Sequence, residues 1–312
     1  MKIHYTDHFE LPLPPGHRFP MDKYRRLRRR IVEDPDLADD VLLVPPAATD
    51  EQLLLAHSTR YLSAVCEGKL SDAEIRRIGF PWSPKMVERS RRSTGATMAA
   101  ARSVLSSSSE GLRASVNLAG GTHHAMRDAG EGYCVFNDAA VTLLTLKQEG
   151  LIERALVIDL DVHQGNGTAE ILEKSEWALT LSMHGRKNFP ARKHPSDIDI
   201  DLEDGTDDET YLGLLGGALE DLTSREAPDL VIYLAGADPF RDDRLGRMNL
   251  TMNGLARRDQ LVLQYCSQQS LPVAIAMAGG YCEDIDRIVD IHHQTVSIAS
   301  SLSKISNAET IS

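Results

Sequence analysis

Residues 155–168, with the sequence ALVIDLDVHQGNGT, constrain the fold of this chain more than any other segment. The segment opens as a short apolar run, which is typical of a strand buried on both faces of a parallel sheet. Asp159, Asp161 and His163 then stand at alternate positions, and such residues of a strand point to one face. Carboxylates and imidazoles bind divalent metals, and α/β sheets bind ligands where their strands end. The segment therefore predicts a metal site at the carboxyl end of a buried strand.

The rest of the chain repeats the order strand, loop, helix, without an internal repeat or a linker that would separate two domains. This alternation predicts an α/β fold with a doubly wound, mostly parallel sheet and helices on both faces. We expect one domain spanning residues 1–312, with a frayed tail at 303–312. Two segments outside the alternation are interpreted as a polar linker at 69–82 and an acidic, hairpin-like segment at 197–204.

Composition excludes several classes of protein. The net charge of −12 argues against non-specific binding to nucleic acid. No secretory signal and no apolar run of membrane-spanning length is present, so we expect neither export nor membrane insertion. The four cysteines form no C-x-x-C pair, which excludes a zinc ribbon and favours free thiols in a cytoplasmic protein.

Unusual residues follow four of the predicted strands. Each group alone has an ordinary explanation as a helix cap, a turn or a core residue. In a parallel sheet, however, the carboxyl ends lie along one edge, so the four groups are expected to converge. The groups are His123 and His124; Asp159, Asp161 and His163; Asp238; and Gly279, Gly280 and Tyr281.

These groups carry a family resemblance. The motifs GGTHHA, GYCVFND, DLDVHQGNG, AGADP and GGY stand in the order and approximate spacing of the histone deacetylase family of the arginase/deacetylase superfamily. The chain resembles this family from about residue 3 to residue 302. Its HQGNG motif is similar to the class IV branch, whereas most zinc-dependent members have HHGDG. The resemblance implies the arginase/deacetylase fold.

The resemblance implies that Asp161, His163 and Asp238 bind the metal. Three protein ligands leave a coordination position open, as catalytic zinc sites do. The resemblance implies Zn²⁺, but a set of two carboxylates and one imidazole is harder than typical zinc sites and leaves Fe²⁺ or Co²⁺ open as alternatives. In the family, the residue matching Asp159 holds one of the tandem histidines and contributes to a structural K⁺ site, for which Ser182 matches a further ligand.

The tandem histidines match the proton-transfer groups of the family, with His124 as the general acid and base and His123 as its electrostatic partner. Adjacent residues of a strand would point to opposite faces, so a loop is required here, and the preceding glycines allow one. Asp159 is expected to orient His123. Asn166 stands where most members have a second aspartate, and a neutral partner should lower the basicity of His124.

Tyr281 matches the family residue that stabilises the oxyanion of amide hydrolysis, and it follows a glycine-rich turn that includes Gly279 and Gly280. Tyr133 and Phe189 match the aromatic pair that encloses the acyl-lysine stem. Gly132 is expected to line the same tunnel through its backbone. A narrow aromatic tunnel suits an aliphatic chain that ends in a flat amide.

The expected function is metal-dependent hydrolysis of an N-ε-acyl-lysine amide with an acetyl or longer acyl group. The alternatives are hydrolysis of an acetylpolyamine or another small acyl amide, and a binding module for acyl-lysine without catalysis. Guanidino hydrolysis by a two-metal site is disfavoured, because Gly165 stands where that reaction requires a further aspartate. The sequence carries no indication of an oligomeric state, or of whether 69–82 forms a lid.

Overall fold

The computed structural model describes residues 1–108 and 111–305. In this part of the chain, strands and helices alternate as expected. The strands are β1 (Lys2–His4), β2 (Val41–Leu43), β3 (Ala114–Asn117), β4 (Ala155–Asp159), β5 (Ala178–Gly185), β6 (Ile198–Leu202), β7 (Leu230–Leu234) and β8 (Val273–Ala276). The helices are α1 (Lys23–Glu33), α2 (Asp50–Ala56), α3 (Thr59–Glu67), α4 (Asp72–Ile78), α5 (Pro84–Leu105), α6 (Asp138–Gln148), α7 (Asn166–Leu172), α8 (Asp208–Thr223), α9 (Met252–Gln268) and α10 (Ile285–Lys304).

The strands form one sheet in the order β2-β1-β3-β8-β7-β4-β5-β6. Every neighbouring pair is parallel, which confirms the predicted doubly wound α/β fold. The central strands are buried on both faces, and side chains of β4 alternate between two apolar cores. Leu156 and Ile158 join the core beneath α1, α8, α9 and α10. Ala155 and Val157 join the core beneath α2, α3, α5 and α6.

The interpretation of 69–82 as a linker is wrong, because the segment contains helix α4. Ser71 and Glu74 form a capping box, in which the Ser71 hydroxyl accepts from the Glu74 N–H and the Glu74 carboxylate accepts from the Ser71 N–H. Gly79 ends the helix with φ at +84°, in the left-handed region that favours glycine. The S-x-x-E spacing was therefore a usable helix signal that the high polarity of the segment obscured.

The acidic segment at 197–204 is also different from the hairpin-like structure expected. Its residues 198–202 form β6, which pairs in parallel with β5 at the edge of the sheet. Ile198, Ile200 and Leu202 face the core, while Asp199 and Asp201 alternate with them on the other face. Charged residues at an edge strand oppose pairing with another chain.

The last helix, α10, continues to Lys304, so residues 303 and 304 are helical and do not belong to the expected frayed tail. The remainder of that tail, residues 306–312, lies outside the described residues. Within the described ranges, no helix is both long enough and apolar enough to cross a membrane.

Candidate active site

Four strands that are adjacent in the sheet carry the four groups of unusual residues. In the order β3-β8-β7-β4, their carboxyl ends lead to the tandem histidines, the Gly-Gly-Tyr turn, Asp238 and the Asp-X-Asp-X-His segment. The chain order reverses among these strands, and such a switch point opens a crevice at the edge of a parallel sheet. The structure therefore brings together the groups that were expected to converge.

Asp161, His163 and Asp238 form a buried group whose candidate ligand atoms all lie within 4.8 Å of one another. The Nδ1 atom of His163 is 2.9 Å from Asp161 Oδ1 and 3.2 Å from Asp238 Oδ2. Backbone amides hold the carboxylates in place, since Val162 N–H donates to Asp238 Oδ1 and Gly279 N–H donates to Asp161 Oδ2.

Local turns rather than strand alternation alone place this group. Strand β4 ends at Asp159, earlier than the alternation of Asp159, Asp161 and His163 implies. Beyond it, the Asp159 carboxylate accepts from the Asp161 N–H and the Asp161 carboxylate accepts from the His163 N–H. These are successive turns in which an aspartate binds the backbone two residues on.

The electrostatics of this group fit a divalent cation. Burial and the charge of Asp161 raise the pKa of Asp238 to about 7. Burial lowers the pKa of His163, but the two carboxylates outweigh it and raise that pKa to about 10. Asp238 Oδ2 is buried, and its 3.2 Å contact with His163 Nδ1 does not have the geometry of a hydrogen bond. A buried carboxylate with a free oxygen is costly unless a positive charge compensates it, so the donor set and its geometry fit a metal ion.

The tandem histidines lie on a loop, as predicted. Gly120 and Gly121 have φ values of +85° and +67°, and neither has room for a Cβ atom. The Asp138 carboxylate at the start of α6 accepts from the backbone N–H groups of Gly121 and Thr122. Asp138 lies within the GYCVFND motif, but its role in shaping this loop was not anticipated from the sequence.

The two histidines have different partners and opposite pKa shifts. His123 Nδ1 is 2.7 Å from Asp159 Oδ2. Burial lowers the pKa of His123, but Asp159 and Asp161 outweigh it and raise the pKa to about 9. His124 Nδ1 is 2.7 Å from the Asn166 side-chain oxygen. Burial and then the positive charges of His123 and His163 lower the pKa of His124 well below its usual value. The opposite pKa shifts favour a protonated His123 beside a neutral His124.

Tyr281 lies beside the metal-binding group, with its ring centroid 6.3 Å from that of His163. Its backbone N–H donates to the Asp243 carboxylate, which fixes the turn. Burial, followed by the charges of Asp161 and Asp238, raises the pKa of Tyr281 well above its usual value. The phenol consequently stays protonated and can donate a hydrogen bond. At Gly279, a Cβ atom would lie 1.9 Å from Asp238 Oδ2, so glycine is required there.

Tyr133 forms one wall of the cavity above this group, as predicted. Its φ of +67° is unusual for a residue other than glycine. Tyr133 N–H donates to the Ile78 carbonyl at the end of α4, and its ring packs against Phe19 and Phe80. A Cβ atom at Gly79 would lie 2.9 Å from the Tyr133 ring. The α4 segment therefore supports the wall rather than covering an open pocket.

Phe189 and Gly132 complete the opening of the cavity. The Phe189 ring lies 4.9 Å from the His124 ring and nearly perpendicular to it, and 43% of the residue is exposed. Gly132 lies between them, since a Cβ atom there would be 2.7 Å from His124 and 3.1 Å from Phe189. The structure thus places both predicted aromatic residues and Gly132 around the same opening.

Asp159 and Ser182, the residues matched to a potassium site, are register partners on β4 and β5. Asp159 has both carboxylate oxygens in hydrogen bonds, one to His123 and one to the Asp161 backbone. The Ser182 hydroxyl is 3.0 Å from His184 Nδ1.

Comparison with known proteins indicates the same family as the motifs do. A model of the histone deacetylase domain matches residues 17–296. The chain belongs to the histone deacetylase family. An uncharacterized protein of Picosynechococcus sp. is 42% identical over 288 residues, which cover 92% of this chain and 94% of that protein. Histone deacetylase 2 of Arabidopsis thaliana is 29% identical over 88% of this chain and 72% of its own length.

Solved structures support the family fold. A histone deacetylase homologue from Aquifex aeolicus superimposes with a TM-score of 0.82 at 23% identity, over 96% of this chain and 84% of that one. A structure of a histone deacetylase homologue in complex with SAHA gives a TM-score of 0.80, also at 23% identity, over 96% and 83% of the two chains.

Two buried, positively charged side chains near the site, those of Lys23 and Arg258, were not identified from the sequence. Lys23 is 2% exposed, and its ammonium lies 3.4 Å from the carbonyls of Ala278 and Gly280, which flank the glycine at the metal-binding group. Arg258 is fully buried and donates to the Gly236 carbonyl, just before Asp238. Lys23 shares the buried stripe of α1 with residues 27 and 31, a helical spacing that the neighbouring arginines obscured.

Proposed function

We propose that this chain is a metal-dependent deacylase that hydrolyses the amide of an N-ε-acyl-lysine. One observation carries the proposal: Asp161 and His163 of the Asp-His-Asp group, the two histidines of opposite pKa shift and Tyr281 line one cavity together with Tyr133. An aromatic opening above a buried polar site suits a substrate with a long aliphatic stem and an amide at its end.

The residues divide the chemistry between them. A divalent cation held by Asp161, His163 and Asp238 would supply Lewis acidity toward a water and the amide carbonyl. His124, which is neutral, accepts the proton of the attacking water and returns a proton to the leaving amine. His123, which is protonated, offsets the negative charge that develops beside it. The Tyr281 hydroxyl donates a hydrogen bond to the oxyanion, and such donors contribute about 10²–10³-fold in turnover.

The finer parts of the proposal follow from the ligand types and motifs. Membership of the family favours Zn²⁺, and Fe²⁺ or Co²⁺ are alternatives because two carboxylates with one imidazole are a harder ligand set than that of a typical zinc site. The adjacent Asp159 and Ser182 support a structural K⁺ site. The HQGNG motif favours a class IV-like enzyme, and the four free cysteines favour a cytoplasmic one.

The experiment is turnover of one lysine peptide that bears an acetyl, octanoyl or myristoyl group, with zinc supplied and with a chelator. We expect chelator-sensitive release of the acyl group, and the preferred chain length reports the depth of the cavity. An absence of release from all three, with zinc bound, would contradict the proposal and favour a small acyl amide such as an acetylpolyamine, or a module that only binds acyl-lysine.

A further inference from the structure

The side chain of Asn166 connects His124 to a carboxylate. Asn166 is fully buried, and both ends of its amide are engaged. Its oxygen is 2.7 Å from His124 Nδ1, and its nitrogen donates to Glu131 Oε1 at 2.7 Å. The amide orientation is therefore determined, because only the nitrogen can donate to a carboxylate.

Glu131 is itself held from both sides. The residue is 8% exposed, and its second oxygen accepts from Arg77 Nε on α4 at 2.6 Å. A line of four groups, His124, Asn166, Glu131 and Arg77, thus runs from the cavity to the outer helix. From the sequence alone, Asn166 is only a neutral residue where most of the family has an aspartate.

We propose that Glu131 is a positioning residue that supplies, through Asn166, the negative charge that the neutral partner of His124 lacks. A carboxylate that accepts from the amide nitrogen polarises the amide and strengthens its oxygen as an acceptor. In a buried site, the charge also acts on the imidazole at a distance, because little water screens it. This inference rests on the proposed function, in which His124 transfers the protons.

The test exchanges the two groups. Glu131→Gln should lower kcat about tenfold while leaving KM nearly unchanged, since removal of such outer partners costs about 10- to 100-fold. Asn166→Asp alone should also lower kcat, because its carboxylate would face Glu131 at hydrogen-bond distance. The double variant Glu131→Gln/Asn166→Asp restores one carboxylate and one amide in the reverse order. We expect it to recover kcat to near the wild-type value.

A second readout is the resonance of the His124 Nδ1–H proton, which should move upfield in Glu131→Gln as its hydrogen bond weakens. A wild-type kcat in Glu131→Gln would overturn the inference. A double variant that is no more active than the weaker single variant would also overturn it, because Glu131 would then only anchor α4. Thermal unfolding of each variant identifies a loss of folding. An inactive wild-type protein would instead contradict the proposed function.

A separate observation concerns the outer rim of the cavity. Arg18, Arg76 and Arg244 are exposed and line two cavities that open beside Tyr281. No carboxylate side chain of the described residues lines either cavity. Arg244 is anchored, since its guanidinium donates to the carbonyls of Tyr281 and Arg18. This positive rim contrasts with the net charge of −12 of the whole chain.

We infer that the rim receives a polypeptide segment in which acidic residues flank the acyl-lysine. Complementary charge at a rim raises the association rate and selects between partners, and like charge excludes the wrong ones. A segment rich in lysine and arginine would be repelled. This inference also rests on the proposed function, because it concerns the flanks of the same substrate.

The test uses acetyl-lysine peptides that differ only in their flanks, which are acidic, neutral or basic. We expect kcat/KM to be roughly tenfold higher for the acidic than for the basic peptide at low salt, and the difference to narrow at high salt. The double variant Arg18→Glu/Arg76→Glu should reverse the preference for acidic flanks. The control Arg225→Glu, an exposed position just after the end of α8, should retain that preference. Equal turnover of all three peptides, or a preference for the basic one, would overturn the inference. Turnover of the neutral peptide in the same experiment would still support the proposed deacylation.

Discussion

The floor of the site and its outer wall are built in different ways. The floor consists of Asp161, His163 and Asp238, which follow adjacent strands and are less than 10% exposed. Backbone N–H groups of neighbouring strand ends hold its carboxylates. The wall consists of Tyr133 and Phe189, which lie on loops, and Phe189 is 43% exposed.

The floor and the wall of this cavity are therefore positioned by different kinds of interaction. A sheet positions the floor through many backbone hydrogen bonds, so its geometry tolerates little change. The wall depends on packing between remote segments, such as α4 against Tyr133. We therefore expect substitutions in the floor to change metal binding and kcat, and substitutions in the wall to change mainly KM.

The largest effect is expected for Asp238→Ala in the floor. The substitution removes a metal ligand, so both bound metal and turnover should be lost. The metal content after dialysis measures metal binding, and kcat on an acetyl-lysine peptide measures turnover. Asp242→Ala, an exposed aspartate four residues along the chain, is the matched control and should retain both. Full activity in a metal-free Asp238→Ala protein would contradict the assignment.

Tyr281→Phe tests the tyrosine beside the floor without removing a metal ligand. The substitution removes only the hydroxyl that is expected to stabilise the oxyanion, so kcat should fall about 10²–10³-fold. Bound metal and KM should remain close to the wild-type values. Tyr265→Phe removes a hydroxyl from a buried tyrosine on α9 and should leave kcat unchanged. A kcat within threefold of wild type would exclude Tyr281 from this role.

Gly79→Ala tests the wall. The new Cβ would contact the Tyr133 ring, and alanine at a φ of +84° also destabilises the fold, by about 1–2 kcal/mol. Gly150→Ala introduces the same backbone cost at a φ of +70°, where nothing lies within 4 Å. Both variants should therefore lose stability, measured by urea unfolding, and Gly79→Ala should lose more because its Cβ also displaces the Tyr133 ring. Only Gly79→Ala should raise KM several-fold, and an equal KM in both would break the proposed separation of wall and floor.

The smallest effect on catalysis is expected at His57, which contacts both ends of the segment 126–137 that carries Tyr133. His57 Nδ1 contacts the Met126 carbonyl and its Nε2 accepts from Asn137 N–H, and burial lowers its pKa to about 4. The unfolded histidine binds a proton below about pH 6.5, whereas the folded one stays neutral. The free energy of unfolding should therefore decrease as the pH falls from about 6.5 to 4, by about 3 kcal/mol.

His57→Gln should remove this part of the pH dependence. Urea unfolding of both proteins between pH 4.5 and 7 measures it, and identical slopes would show that His57 does not contribute.

Much of the fold followed from local patterns. Apolar runs before turns mark the buried strands, and Thr49 with Gln52 forms a capping box, a helix start that is visible in the spacing of these two residues. The errors lie where polarity hid a local signal. Helix α4 has a capping box in a charged segment, and β6 alternates isoleucine with aspartate, which resembled a surface turn.

The sequence by itself determined which chemistry is available. The residue types after β3, β4, β7 and β8, and the rule that parallel strands end at one edge, predicted the floor of the site and its convergence. Residues within a few positions of a strand end inherit its place in the sheet, so local pattern is sufficient for them.

Only the tertiary structure decided the surroundings of that floor. Glu131 reaches Asn166 across 35 positions, and Arg77 reaches Glu131 across 54. Lys23 lies beneath the turn of Gly279, about 255 residues away along the chain. Such contacts carry no periodic signal, because they depend on how loops and helices pack after the sheet has formed, and side-chain packing of this kind is not encoded in spacing.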